Sequence, residues 1–575
     1  MSRGDQMPRV LPELLPYAVA EGLPDLVFHA SGEPLALPVD VLQAGVPRRA
    51  AILRGRGVEP GDVVGLLGPN HPEWVQWAFA VWQTGAALAP MSFPLRIRDS
   101  ASFEDWIQQA ISLTGARFVI AHPRFVEHLP ERYVLPWDAY TQESDAATVR
   151  EGNGEVPETA PNDIALVQMT SGTTGAPKAA LLSHRAVLSL AAASATAYQG
   201  ERRDRTLAWL PLFHNWGVVG YLLRPMLGCW SVHVMATERF AADPAEWLRL
   251  VTSEQATMTS APCSAWDATV RTVKRHPEGI DLSRLRLATF GAEAVNPDVV
   301  DQVIDVLGPL GLRAEALVAG FGMTETTLSI TTTRPGDGIA FDEVDADELY
   351  SSGRAVPVGQ GHARRVADCG PPVPGACVRI VDGCGDQLGD RSVGEIQVKS
   401  PGMMDGYRPT QSSGTARLDQ DDADRNPFAG GWLRTGDVGY LVDGRLHVTA
   451  RAKETVVVGG RSFSAEEIEW AVNRVPGVGR AAAFAVSSER LESSVVIVES
   501  TVEVDPSIFV RNIRQAANDA LGLALGEVVV VAPGSIPATN TGKIRRGPLR
   551  DAYVAGRLAR RSLGIERSHV RDGPL

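Results

Sequence analysis

Cysteine is scarce in this chain of 575 residues: Cys229, Cys263, Cys369, Cys377 and Cys384 are odd in number and include no C-x-x-C pair. Neither a disulfide framework nor a zinc site is indicated, and a reducing, cytosolic compartment is expected. Positive charge is in deficit, 55 Lys plus Arg against 68 Asp plus Glu, for a net charge of −13. Nucleic-acid binding needs a basic footprint, so it is excluded as a general activity. Long apolar runs are missing too. The first 21 residues are broken by Asp5 and Glu13, and the most apolar stretch, 207–234, is interrupted by His214, Asn215 and Arg224. Neither a secretory signal nor a membrane span of ~20 clean residues is expected. No repeat of solenoid period and no low-complexity tract occurs.

What is present is an ordinary globular composition, 44% hydrophobic and 21% charged, on a chain long enough for roughly four domain-sized units. Buried-strand runs at 63–67, 118–121, 164–169, 206–210, 232–235 and 285–290 alternate with helical patterns such as 48–56 and 73–85. In the latter, Trp74, Trp77, Ala78 and Val81 share a face. This alternation predicts an α/β fold with largely parallel, doubly covered sheets. After 346 the texture turns to Gly, Pro and Ser with short alternating runs at 377–381 and 395–398, which predict a small β unit to about 451. Beyond it, strands at 455–458, 481–486, 494–499 and 527–531 with helices at 465–475 and 506–521 predict a compact α+β domain. The expected division is 1–451 and 452–575.

The most informative segment is the strand 164–169 followed by Thr170, Ser171, Gly172, Thr173, Thr174, Gly175, Ala176, Pro177 and Lys178. Two glycines, four hydroxyls and an ammonium at the end of a buried strand make a polyphosphate cradle. A Ser/Thr-rich surface turn is the plainer reading of a shorter run. No G-x-x-x-x-G-K-[ST] is present, so a Walker-type inference does not transfer.

With Gly320-Phe321-Gly322-Met323-Thr324-Glu325, Trp432-Leu433-Arg434-Thr435-Gly436-Asp437, Arg451-Ala452-Lys453-Glu454 and Pro537-Ala538-Thr539-Asn540-Thr541-Gly542-Lys543-Ile544 in the same order, the chain resembles the adenylate-forming superfamily of acyl-CoA synthetases, fatty acyl-AMP ligases, luciferases and adenylation domains. The likeness runs from about residue 28 to 551. It implies ATP-dependent conversion of a carboxylic acid to an acyl-adenylate with release of pyrophosphate. By this resemblance Thr170 to Gly175 and Lys178 would grip phosphates, Thr324 would meet the α-phosphate and Glu325 would help hold Mg²⁺. Gly291, Ala292 and Glu293 would lie along the adenine, with Gly320, Phe321, Gly322 and Met323 as its other wall. Asp437 would take the ribose hydroxyls with Arg451 nearby. Lys543 would be the mobile catalytic lysine, and Lys453 the hinge of a swivelling C-terminal domain.

Leu210-Pro211-Leu212-Phe213-His214-Asn215-Trp216-Gly217 resembles the segment of fatty acyl-AMP ligases that lies between phosphates and acyl tunnel, which makes His214 a catalytic and acyl-site candidate. Asn215 and Trp216 depart from that pattern and would suit a bulkier or ring-containing acid, with Gly320 also on the acyl side. The stretch 340–369 resembles the insertion of that group, in which the acyl unit passes to the phosphopantetheine of an acyl carrier protein. Ser464-Ala465-Glu466-Glu467 resembles CoA ligases instead, so transfer to CoA stays open, as does a non-catalytic acyl or nucleotide sensor.

Overall fold

The computed structural model describes residues 7–94, 97, 99–139, 157–170, 177–359, 362–409, 427–458, 460–488, 491–502, 505–538 and 543–558. Among them, a seven-stranded sheet carries Val63–Leu67 in its interior, flanked by Ala87–Pro90 and Phe118–Ala121 as parallel neighbours. All five residues of Val63–Leu67 are buried. Alternation divides them between two cores: Val64 and Leu66 pack with Trp74, Trp77 and Ile120, whereas Val63 and Leu67 pack with Phe103, Ile107 and Val119. An unbroken apolar run is what a strand covered on both faces requires.

The helix Pro72–Gln83 supplies one of these covers. Its N-cap His71 accepts from the Glu73 N–H at 3.1 Å, and Pro72 occupies the first turn, where no N–H is needed. Trp77 Nε1 donates to Trp137 O and Trp82 Nε1 to Ala165 O, each at 2.9 Å, so these indoles enter the core with their polar atom satisfied. The predicted helix at 48–56 begins earlier, as Val39–Gly55, and accommodates Pro47.

A second, eight-stranded sheet runs Ser329–Thr332, Leu317–Gly322, Leu287–Phe290, Met258–Ala261, Arg205–Ala208, Ser231–Met235, Leu26–His29, Leu35–Leu37. Its interior pairs are parallel, and an antiparallel hairpin closes one side, pairing Gly320 with Thr332. The other sheet has the equivalent device, with Ile164–Met169 antiparallel to Ala179–Ser183. These two hairpins, one per sheet, carry the candidate nucleotide segments.

The β unit is an antiparallel sheet of Cys377–Val381, Gly394–Lys399, Phe428–Ala429, Trp432–Val442 and Arg445–Arg451. Asp443 and Gly444 both have positive φ, +50° and +73°, as a two-residue type I′ hairpin turn demands. That turn fixes Val442 opposite Arg445, and a bulge between Val438 and Gly439 changes the register so that Asp437 faces Arg451.

From Thr455 on, a separate hydrophobic cluster forms around Val456, Phe463, Ile468, Val472, Val496 and Ile513. Ala346 and Tyr350, from the helix Ala346–Ser352 within the 340–369 stretch, pack into it. No helix among the described residues is long and apolar enough to cross a membrane. The five cysteines are free, three buried and two exposed.

Candidate active site

The neck of the hydroxyl-rich loop is closed by two hydrogen bonds. Thr170 N–H donates to Lys178 O at 2.8 Å, and Lys178 N–H donates to Thr170 Oγ1 at 3.2 Å. Ser171, Gly172, Thr173, Thr174 and Gly175 lie outside the described residues. The Lys178 ammonium stands 4.7 Å from the centre of the Tyr407 ring, and the Tyr407 hydroxyl donates to Glu325 Oε1 at 2.7 Å. Tyr407 reaches this position because Gly406–Tyr407 adds as a short strand to Ala179–Ser183, with Arg408 N–H donating to Ala179 O. One aromatic side chain therefore joins the loop lysine to the turn Thr324–Thr326. The motif at 320–325 needs glycine at 322 for a steric reason: a Cβ there would fall 2.1 Å from Leu328 O.

The segment bearing His214 is knitted to both sheets by buried amides. Asn70 Oδ1 accepts from Leu212 N–H at 2.8 Å, and its Nδ2 donates to Leu210 O and Met235 O. Gln168 Nε2 donates to Phe213 O at 3.0 Å. Gly217 is required here, because a Cβ would meet Pro211 O at 2.1 Å. Trp216 then opens a π-helix, Trp216–Leu223, a form of extra-residue turn frequent at functional sites.

His214 Nδ1 accepts from Trp216 N–H at 3.2 Å, leaving Nε2 to carry the proton. Burial, then the nearby Lys543 charge, pushes its pKa down to about 4, so the ring is neutral at pH 7. The Asn215 side chain is committed elsewhere: it donates to Thr327 O at 2.8 Å and braces the Thr324–Thr326 turn. The Trp216 indole lies against the backbone of Gly291, where a Cβ would come within 3.2 Å of Cη2.

A cleft of about 940 Å³, open to solvent, gathers much of the rest. Ala292, Glu293, Gly320, Phe321 and Gly322 form one side, Asp437, Ala450 and Arg451 another, and Glu454, Glu466 and Lys543 enter from the C-terminal cluster. Gly291 is not part of this lining and lies against the Trp216 indole and Gly320 O. Thr170, Lys178, Met323, Thr324 and Glu325 belong to the neighbouring region around the hydroxyl-rich loop and the Tyr407 ring, and Lys453 is exposed in the turn Ala452–Glu454.

Arg451 Nε donates to Asp437 Oδ1 at 2.8 Å, and this carboxylate raises the guanidinium pKa above its ordinary value. Burial and the Arg451 charge push the Lys543 pKa down, opposed by Glu454, Glu466 and Asp437. Glu293 has both carboxylate oxygens engaged, by Ser264 N–H at 2.9 Å and Ser264 Oγ at 3.0 Å, and burial raises its pKa. It fixes the turn in which Ala292 takes a positive φ of +62°.

Sequence reasoning missed the support behind Lys543. Arg546 is buried and holds Glu469 bidentately at 2.8 and 2.7 Å, with Glu466 at 3.2 Å and Glu454 also in contact. Burial pushes Glu469 up to about 7. Burial also raises Glu466, but Arg546 and the Ser464 hydroxyl outweigh it and hold that carboxyl at about 2. The only sequence signal was the capping box of Ser464 and Glu467, and here Glu467 also pairs with Arg364 from the 340–369 stretch. Chemically, the arrangement places a lysine, an Asp–Arg pair and backbone walls around one cleft, beside a carboxylate and a second lysine. It can bind a polyanion bearing a flat base and neutralise charge developing between the two lysines.

A sequence profile described as "AMP-binding enzyme" matches residues 40–408. A Mycobacterium tuberculosis protein named as a ligase is 35% identical over 531 residues, covering 90% of this chain and 95% of its own. The medium-chain fatty-acid acyl-carrier-protein ligase JamA of Moorena producens is 31% identical over 410 residues, 69% of this chain and 68% of that one. Among solved structures, a fatty acyl-adenylate ligase from work on the Escherichia coli and Legionella pneumophila enzymes superposes with a TM-score of 0.86 at 26% identity. The match covers 95% of this chain and 98% of that one.

Proposed function

The chain belongs to the AMP-binding enzyme family of adenylate-forming ligases, and on that premise we propose that it activates a carboxylic acid with ATP and passes the acyl group to the phosphopantetheine thiol of an acyl carrier protein. The observation that carries the reading is Lys543 lining the same cleft as Asp437, Arg451 and the 320–322 wall. A carboxylate with pKa near ~4 is ionised at neutral pH and needs no general base. Its oxygen forms the bond to the α-phosphorus as the bond to pyrophosphate breaks, so the protein's task is alignment and charge neutralisation.

Each side chain then has a part. Asp437 accepts the ribose hydroxyls, and Arg451 fixes its rotamer. Ala292, Glu293, Gly320, Phe321, Gly322 and Met323 shape the adenine slot, with Gly291 behind. Thr170 through Gly175 and Lys178 hold the terminal phosphates, and Thr324 meets the α-phosphate. Lys543, a compact cation on a long stem, bridges the carboxylate and the α-phosphate. Neutral His214 donates from Nε2 beside it without adding charge.

Glu325, with one oxygen fixed by Tyr407 and hydroxyls for neighbours, is a hard-oxygen donor that fits Mg²⁺. When bound, that ion would supply charge neutralisation on the phosphates. Trp216 against Gly291 narrows the acyl entrance toward a ring-containing acid.

Transfer to a carrier rather than free CoA is supported by the helix Ala346–Ser352. Tyr350 packs on Phe463, Asp347 pairs with Arg461 at 2.7 Å, and Arg364 pairs with Glu467. Together they fasten the C-terminal cluster in the pose that presents Lys543, which opposes the swivel about Lys453 that CoA entry needs. Ala450 adds a methyl to the same cleft. A cytosolic setting suits the free thiols.

The test is acid-dependent pyrophosphate release across a panel of linear and aromatic acids, with CoA, with a phosphopantetheinylated carrier, or with neither. Carrier acylation without CoA consumption supports the reading. CoA consumption at equal or higher rate replaces it with a complete CoA ligase, and no pyrophosphate with any acid leaves a sensor.

A further inference from the structure

Away from the cleft, on the parallel strands Leu26–His29 and Ser231–Met235, two buried histidines meet. Val27 is the register partner of His233, so His29, two residues on, shares its face of the sheet. His29 Nε2 lies 3.3 Å from His233 Nδ1 with the rings stacked, and Glu254 Oε2 lies 3.3 Å from the same Nδ1. All three donor atoms fall within 4.8 Å of one another. His29 is 1% and His233 6% exposed, whereas the Glu254 side chain is 26% exposed, so the group opens to solvent on one side.

We propose that His29, His233 and Glu254 form a binding site for a divalent transition metal ion of the zinc class. Ligands at 2.0–2.1 Å around a tetrahedral centre stand about 3.3 Å apart, which is the separation of His233 Nδ1 both from His29 Nε2 and from Glu254 Oε2. Two imidazoles and one carboxylate select zinc-like ions over magnesium or calcium, and water takes the fourth position on the open Glu254 side.

The outer contacts suit the assignment. Ser231 Oγ lies 3.1 Å from His233 Nε2, and by accepting the proton there it leaves the Nδ1 lone pair free for a metal. The imidazole–imidazole contact alone gives an incomplete account of the cluster. A single proton serves one nitrogen pair, yet the carboxylate faces the same Nδ1. The cations nearby are Arg205, which donates to Glu254 O at 2.5 Å, and Arg239, which is paired with Glu246. Glu254 supplies the compensating negative charge. The ion would cross-link Leu26–His29 to Ser231–Met235 and to the end of the helix Pro244–Ser253, as a structural rather than a catalytic metal.

The test is Co²⁺ titration of the full-length protein, nucleotide-free, in a Cys377→Ser/Cys384→Ser background that removes the exposed thiols. The expected result is one equivalent bound with the visible absorption of tetrahedral Co²⁺, displaced by Zn²⁺, and a melting temperature that rises with Zn²⁺. His233→Asn should abolish the absorption. Glu254→Gln, at a partly exposed position that leaves the core intact, should weaken binding at least about tenfold. Absence of saturable absorption in the parent protein, or absorption unchanged in both variants, overturns the site.

Discussion

Arg451 faces Asp437 across the hairpin because the strand Arg445–Arg451 contains one residue more than its partner needs. The type I′ turn alone would set Ala450 there, and the bulge brings Arg451 instead, with Nε 2.8 Å from Oδ1.

Arg451→Ala should therefore leave the ladder in place and strip Asp437 of its cationic partner. The expected outcome is a folded protein whose KM for ATP rises roughly ten- to a hundredfold, the scale of losing one charge-assisted hydrogen bond of ~1.5–3 kcal/mol. Asp437→Ala should do at least as much. Steady-state kinetics beside a circular dichroism spectrum decide the matter, and an unchanged KM in both variants removes the pair from the nucleotide site.

Lys543→Ala should lower the adenylation rate about 10²–10³-fold, or at least ~3 kcal/mol, by analogy with losing one preorganised donor. Its melting temperature should stay near the parent's. Arg546→Ala should behave differently: it strands Glu454, Glu466 and Glu469 in the interior at a cost of ~3–5 kcal/mol, so stability falls with activity. Pyrophosphate exchange and urea denaturation on both variants separate the two behaviours.

His122, His184 and His214 have pKa values pushed down to about 4 by burial first of all. A folded-state value below the unfolded 6.5 means the unfolded chain binds more protons between pH 6.5 and 4. Their stability contribution is therefore complete above pH 6.5 and is lost as the pH falls toward 4. Unfolding free energy should drop by several kcal/mol, of order ~1.4 per pH unit for each ring once below 6.5. Glu469, raised to about 7, works in the opposite sense, favouring the folded state at acid pH and losing that contribution as the pH climbs from about 4.5 to 7. Glu469→Gln should accordingly steepen the acid loss. Denaturation curves at pH 5 and pH 7.5 for both proteins check the sign.

Trp216→Met removes the indole from Gly291 and should move the kcat/KM ranking toward linear acids by about tenfold, the scale of one or two methylenes' worth of pocket, ~1–3 kcal/mol. An unaltered ranking across the panel takes Trp216 out of the acyl pocket.

Tyr350→Ala together with Arg461→Ala loosens the helix Ala346–Ser352 from the C-terminal cluster. CoA-dependent thioester formation should appear or increase while pyrophosphate release stays within about twofold. If CoA remains unused, the docked helix is not what excludes it.

Much of this architecture is written in local pattern. The apolar run Val63–Leu67, and Ile164–Met169 with Gln168 as its one polar residue, announce strands covered on both faces. The strand Leu317–Gly322 did not stand out, because Gly320 and Gly322 remove the side chains by which a strand is recognised, and they do so where Thr331 O and Leu328 O press close. Thr206–Leu210 stops at Ala208, ahead of Pro211. The candidate residues 292, 293, 320–322, 437, 451 and 543 could be named from the resemblance of their motifs to the adenylate-forming superfamily, and they share a cleft.

Tyr407 could not be named. Its role depends on a two-residue strand joining a sheet edge more than two hundred residues earlier in the chain, and nothing local marks it. Arg546 reads as one of several arginines in a basic tail; only the convergence of three distant glutamates makes it interior.

That guanidinium also ties two sequence-distant points together. Glu454 is the first residue past the proposed pivot at Lys453, and Arg546 comes three residues after Lys543, so their contact sets the lysine segment directly against that pivot. Under the proposed swivel, a segment clamped this close to the axis would turn with it as one piece, and the amine's aim would be set at the hub.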